Sequence, residues 1–141
     1  MENITIRDYQ PEDYPAIEDL WDLTSLGGAI RGDDKATIER SLALGGKLLV
    51  VEDDQKKLIA TSWMTYDGRR LHLHHFGVLP QYQRKGIGRL LAMRSIEFAR
   101  NHGTQIKLEV HKSNIAAIEL YKQLGFQYLG DYLVYIIRQF D

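Results

Sequence analysis

The sequence contains no cysteine among its 141 residues. That excludes disulfides, thiolate nucleophiles and cysteine-based metal sites. An excess of charge of one sign is also missing. Its 18 basic and 19 acidic residues nearly cancel, so no overall field draws the chain to nucleic acid. No apolar run approaches the length of a membrane span. The opening Met-Glu-Asn-Ile-Thr-Ile-Arg lacks the apolar region of a signal peptide, and a soluble, cytoplasmic protein is expected. Repeats, linkers and low-complexity segments are lacking too. A hydrophobic share of 44% with 26% charged residues suits one folded domain spanning residues 1–141.

Periodicity orders the rest. Ile4 and Ile6 begin a strand, and Pro11-Glu-Asp opens a helix with Tyr14, Ile17, Leu20 and Trp21 as its apolar stripe. Residues 24–33 hold three glycines without a period and form a loop, a place where acceptor recognition often resides. Asp33 or Asp34 caps a second helix. Lys47–Glu52, Leu58–Tyr66 and Arg70–Val78 read as three strands of an antiparallel meander, with Gly77 marking a bulge or a close backbone approach. A helix then runs to about Asn101, stopped by Gly103, and Gln105–His111 is a further strand. Ser113 or Asn114 caps a last helix ending at Gly125, and Phe126–Leu129 with Tyr132–Gln139 forms a closing hairpin. The order βααβββαβαββ gives an α/β or α+β domain with a largely antiparallel, partly split sheet.

The chain is organised around residues 73–89, where an apolar strand stops at Pro80 and the sequence turns basic and glycine-rich before helical spacing resumes at Ile87. A glycine loop at a helix N-terminus gathers backbone N–H groups and the positive end of the helix dipole at one place, which suits a phosphate. Gly86 and Gly88 allow close approach to the main chain, and Arg84, Lys85 and Arg89 add charge. A Walker loop is excluded by its spacing. A dinucleotide fingerprint fails because Leu91 stands at its third glycine, and too little chain follows to complete a doubly wound sheet.

Val78-x-Pro80 followed by Gln83-x-x-Gly86-x-Gly88 instead resembles the acetyl-CoA pyrophosphate loop of the GNAT superfamily of N-acetyltransferases. A second stretch, Ser113-Asn114-x-x-Ala117-x-x-x-Tyr121-x-x-x-Gly125-Phe126, matches the same family's last helix. Asn114, Ala117 and Tyr121 share one helix face. The resemblance covers residues 47–140 well and the N-terminal third in outline. It implies a GNAT fold with a seven-stranded split sheet and about four helices, and acetyl-CoA as co-substrate without a metal. Phe76, Gly77 and Val78, the stretch Gln83, Arg84, Lys85, Gly86, Ile87, Gly88 and Arg89, and Asn114, Ala117 and Tyr121 would hold the cofactor. Asn114 would meet the pantetheine arm, Ala117 would give clearance, and Tyr121 would lie at the thioester sulfur.

Direct transfer to an amine needs a proton acceptor, because an ammonium with a pKa of about 10.4 is nearly all protonated at neutral pH. It also needs donors for the carbonyl and a proton for the departing thiolate. The resemblance gives the last role to Tyr121 and the carbonyl to backbone N–H groups around Phe76–Val78. Two bases stand level. Leu108-Glu109-Val110-x-x-Ser113-Asn114 resembles ribosomal-protein N-terminal alanine acetyltransferases, where the glutamate is the base. His74, with His72 behind it, lies where serotonin N-acetyltransferases carry paired histidines, while His75 is expected to point the other way. Metal binding by these three histidines lacks a completing carboxylate or cysteine. The acceptor is a small amine or a peptide N-terminus, and the protein a monomer or homodimer. The competing class is a non-catalytic acyl-CoA sensor or scaffold, which would need neither Tyr121 nor a base.

Overall fold

A computed structural model describes residues 3–26 and 32–140, and part of the glycine-containing loop at 24–33 lies outside the described residues. The chain divides into two compact units, residues 1–109 and 110–141, and each is described by itself.

Among the described residues the first unit is a five-stranded sheet with three α-helices. Strand β1 (Thr5–Asp8) is followed by α1 (Tyr14–Thr24) and α2 (Lys35–Ala43), then β2 (Lys47–Glu52), β3 (Leu58–Tyr66) and β4 (Arg70–Val78). Helix α3 (Ile87–His102) leads to β5 (Gln105–Leu108). The strands lie side by side in chain order, with β1 to β4 antiparallel and β5 parallel to β4. The meander and the mixed sheet are those expected.

Local chemistry explains the element ends. Asp34, not Asp33, caps α2, its carboxylate accepting from Thr37 N at 2.9 Å. Gly103 ends α3 at φ 80°, a conformation glycine enters without a Cβ penalty. The core lies on β2 and β3, whose apolar runs are buried on both faces. From α1, Ile17, Leu20 and Trp21 pack onto this sheet. Trp21 and Trp63 are fully buried and stacked, with ring centroids 5.6 Å apart. Each indole N–H finds an acceptor, Trp21 in Thr61 Oγ1 and Trp63 in Ser41 Oγ, both at 2.9 Å. On the α3 side, Ser62 and Ser95 share a buried hydrogen bond of 2.7 Å, and Ser95 Oγ donates on to Leu91 O.

Two features position the site. Strand β5 pairs only with Arg70–Leu73, so the sheet is not continued by β5 alongside His74–Val78. Across β3 the register shifts: Thr61 faces Gly77 while Trp63 faces His74, so Ser62 alone stands opposite His75 and Phe76. This is a β-bulge. His75 takes φ 47°, and Thr61 Oγ1 donates to its carbonyl at 2.8 Å. Gly77 comes to lie against Leu26, so closely that a Cβ would stand 2.7 Å from Leu26 Cδ1.

The second unit contains α4 (Ile115–Gln123), capped by Asn114, whose Oδ1 accepts from Ala117 N at 3.3 Å. Two expectations are corrected. The strand expected over Gln105–His111 ends at Leu108, leaving Glu109 just beyond it. Residues 126–140 form no strand, and Tyr132–Ile137 are 67–87% exposed, so five strands are described rather than seven. Apolar, β-branched composition sets a preference for extended chain, but a strand also needs a backbone partner. Among its described residues the second unit has no other strand, and an isolated hairpin is marginal.

Candidate active site

Strand β4 carries His72, His74 and Phe76–Val78, and the glycine loop follows its end. A 3₁₀ turn, Pro80–Tyr82, separates the strand from the loop. Gln83 is exposed, but its Nε2 donates to Val78 O at 2.9 Å and so ties loop to strand. Tyr82 Oη donates to Asp53 Oδ2 at 2.8 Å, and Lys85 Nζ lies 5.4 Å from the Tyr82 ring centroid. Hydrogen bonds from Lys57 N and Tyr82 Oη hold the Asp53 carboxyl below its usual range. Asp53 thus anchors the loop as a carboxylate.

Arg84 and Gly86 both adopt positive φ, 63° and 85°, and Gly86 is the N-cap of α3. The chain can therefore turn from the strand directly into the helix, aiming the first-turn N–H groups of α3 at the loop. Gly88 stands 3.8 Å, measured from where a Cβ would be, from Val78 Cγ2, so it faces the strand end. Ile87 is buried beneath the loop, where it secures the first turn of α3 against the sheet, whereas Arg84, Lys85 and Arg89 are exposed. Loop, helix start and the Phe76–Val78 backbone thus form one cationic, glycine-lined corner.

Further back along β4 lies a different environment. His72 Nε2 is 3.3 Å from Glu109 Oε1, which joins two of the expected base candidates. Burial pushes His72 towards its neutral form, against the pull of Glu109. The His72 and His74 ring centroids are 5.5 Å apart. His74 is held down to about 3, first by burial and then by the nearby His75 and His72, so it is neutral at physiological pH.

His75 corrects an expectation. Strict alternation would send it to the opposite face from His74, but the bulge breaks the alternation. The two Nδ1 atoms are 2.7 Å apart. His75 Nε2 is 3.1 Å from Asp33 Oδ2, and His74 Nε2 is 3.2 Å from Thr65 Oγ1. His75 also packs on Trp21, at 4.3 Å between ring centroids. Thr65 and His72 in turn line a cavity of about 190 Å³, together with Asp67, Arg70 and Lys107. Sequence reading missed Asp33, Thr65 and His75 as site residues. Thr65 lies opposite His72 in the β3–β4 register, a signal available once the hairpin pairing is assigned. Among the described residues no three His, Cys, Asp or Glu are grouped to hold a metal ion.

In the second unit, Asn114, Ala117 and Tyr121 share one face of α4. Asn114 Oδ1 is engaged in its cap. Tyr121 is 8% exposed, its ring 5.6 Å from that of Phe126. Burial pushes its hydroxyl up to about 12, so it stays a proton-bearing donor.

Comparison with known proteins places the chain among acetyltransferases by sequence and fold. The N-alpha-acetyltransferase RimI of Mycobacterium tuberculosis is 47% identical over 58 residues, which are 41% of this chain and only 35% of that relative's length. The structure of yncA, a putative acetyltransferase from Salmonella typhimurium with its cofactor acetyl-CoA, matches with a TM-score of 0.74 and 29% identity. That match covers 88% of this chain and 79% of that one. The ribosomal-protein-S18-alanine N-acetyltransferase of Escherichia coli matches with a TM-score of 0.74 and 26% identity, covering 88% and 77%. The model of the Acetyltransferase (GNAT) family matches residues 6–126, a span that takes in the glycine loop, the β4 histidines and the α4 face, and the chain belongs to that family.

Proposed function

We propose that this chain is an acetyl-CoA-dependent N-acetyltransferase that passes the acetyl group directly to a primary amine, the free N-terminus of a peptide or protein being the favoured acceptor. The observation that carries this reading is the corner where Gly86, at φ 85°, opens α3 beside the end of β4. The loop N–H groups and the cations Arg84, Lys85 and Arg89 suit a pyrophosphate. The half-buried Phe76–Val78 stretch, which β5 does not pair with, suits the amide-bearing pantetheine arm, and the family resemblance gives Asn114 and Ala117 to that arm. The names of the RimI relative and of the S18-alanine enzyme favour a peptide N-terminus over a small amine. A single domain acting in the cytoplasm fits this reading.

The reaction forms one C–N bond and breaks one C–S bond. The ammonium gives a proton to a base on the β4 side, His74 or the His72–Glu109 pair, and the amine nitrogen attacks the thioester carbonyl. Backbone N–H groups near Phe76–Val78 are assigned to the developing oxyanion. As the C–S bond breaks, the Tyr121 hydroxyl donates to the departing sulfur. No acyl-enzyme is invoked, since the chain has no thiol.

The test is a screen of peptides and small amines for acetyl-CoA-dependent CoA release, with the acetylated product identified by mass. Tyr121→Phe should lower kcat by roughly 100-fold while the KM for acetyl-CoA changes little. Unchanged turnover would remove Tyr121 from the mechanism. Acetyl-CoA binding without turnover on any amine would replace the enzyme reading by an acyl-CoA sensor.

A further inference from the structure

Asp33, His75, His74 and Thr65 form an unbroken line of hydrogen-bonding groups through the first unit, from α2's leading edge to the cavity beside β4. The separations along it are 3.1, 2.7 and 3.2 Å. Proton positions follow from the chemistry of each contact. A carboxylate can only accept, so His75 Nε2 carries a hydrogen towards Asp33. With His75 neutral, its Nδ1 is then an acceptor, and the 2.7 Å contact requires His74 to hold its proton on Nδ1. That leaves the lone pair of His74 on Nε2, facing the Thr65 hydroxyl at the cavity wall.

We propose that His74, His75 and Asp33 act as a two-imidazole proton relay, in which a proton accepted at His74 Nε2 is stored as an imidazolium on His75 beside Asp33. This rests on the acetyl-transfer reading for the source of the proton. The step balances without any further reactant. A proton leaves the acceptor ammonium and reaches His74 Nε2, directly or by exchange through the Thr65 hydroxyl. The Nδ1 proton of His74 passes to His75 Nδ1. His74 ends neutral with its hydrogen on Nε2, and His75 ends cationic, 3.1 Å from the Asp33 carboxylate.

The arrangement removes a difficulty with His74 as a base. A positive charge resting on His74 would sit half-buried between two other imidazoles, with no carboxylate among the described residues in direct contact, and burial already disfavours it. Moved one ring along, the same charge is also largely buried, at 10% side-chain exposure, but it lies 3.1 Å from the Asp33 carboxylate, which offsets that burial, and beside the tilted Trp21 ring. His75 and Asp33 are therefore positioning residues that act through His74. The bulge at Ser62 and the positive φ of His75 bring the two rings together. Backbone strain of that kind persists where the surroundings fix it.

Among the described residues, groups from four elements and the segments joining them face the pair or its neighbours. Thr65 and Trp63 face it from β3, His72 from β4, Trp21 from α1, and Asp33 from the segment before α2. Glu109, Lys107 and Asp67 act on His72.

The test is a pH titration of the unaltered, unliganded chain by ¹⁵N-detected NMR of its histidine rings. At high pH His74 should be the Nδ1–H tautomer. As pH falls His75 should become the imidazolium while His74 stays neutral and switches to Nε2–H. Asp33→Asn keeps an acceptor but removes the charge. It should lower kcat 10- to 100-fold, leave the KM for acetyl-CoA within about twofold, and be partly rescued by Asp33→Glu. His74 found as Nε2–H at high pH, or protonating before His75, would overturn the relay. So would an Asp33→Asn enzyme with unchanged kcat. If the tautomer order holds but the unaltered chain transfers no acetyl group to any amine, the acetyl-transfer reading falls and with it the use of the relay in transfer.

Discussion

The two halves of β4 solve opposite problems. Its C-terminal end runs into a corner of glycine and exposed cations at the first turn of α3, a helix start that suits an anion. Its middle, four residues back, is packed against two stacked tryptophans and carries imidazoles that burial keeps from charging. The first region depends on backbone conformation and tolerates water. The second depends on side-chain contacts among half-buried rings. A cofactor whose phosphates stay partly hydrated suits the first, and proton transfer suits the second, where partial burial shifts the basicity of neighbouring imidazoles.

The largest effect should come from the packed region. Trp21→Ala removes a fully buried indole, its stack on Trp63, its contact with His75 and its hydrogen bond to Thr61. Unfolding stability should fall by about 3–5 kcal/mol, read by denaturant titration. The comparison sharpens if the protein that remains folded still binds acetyl-CoA, because the corner does not use that contact.

Gly86→Val should do the reverse. A β-branched residue at φ 85° is strained and fills the approach to the loop, so acetyl-CoA binding should weaken by roughly 100-fold or more. Histidine-ring NMR signals of the variant should stay as in the parent chain. Altered signals would show that corner and cluster are not separable.

The smallest effect concerns pH. The folded state holds His74 down to about 3, whereas the unfolded chain titrates near the ordinary value of about 6.5. Between these values the unfolded chain binds more protons, so the contribution of His74 is complete above about pH 6.5 and is lost as pH falls towards 3. Thermal stability should decline across that window, and less steeply in His74→Gln. An equal slope in both proteins would remove His74 as the cause.

The same contrast explains what the sequence disclosed. The corner was legible because glycine, proline and capping residues act locally. Pro80 stops a strand, Gly86 permits positive φ, Gly103 closes a helix and Asn114 caps one, whatever surrounds them. The meander was legible from Asp53 and Asp67–Gly68 between apolar runs. The histidine line was not. Alternation assigns His75 to the wrong face unless the bulge opposite Ser62 is known, and a bulge is set by pairing with a distant strand. Asp33 is 42 residues from His75 and carries only the signature of a helix cap, a role that Asp34 fills. The closing hairpin failed for a related reason: residues 132–137 have strand composition, but composition does not supply the partner edge.

The most direct test of the account is a calorimetric titration of the unaltered chain with acetyl-CoA, against CoA and ATP as controls. Micromolar binding of acetyl-CoA and CoA, with ATP much weaker, is the expected result. Failure of acetyl-CoA to bind, or equal binding of ATP, would contradict the reading of the Gly86 corner as an acyl-CoA site.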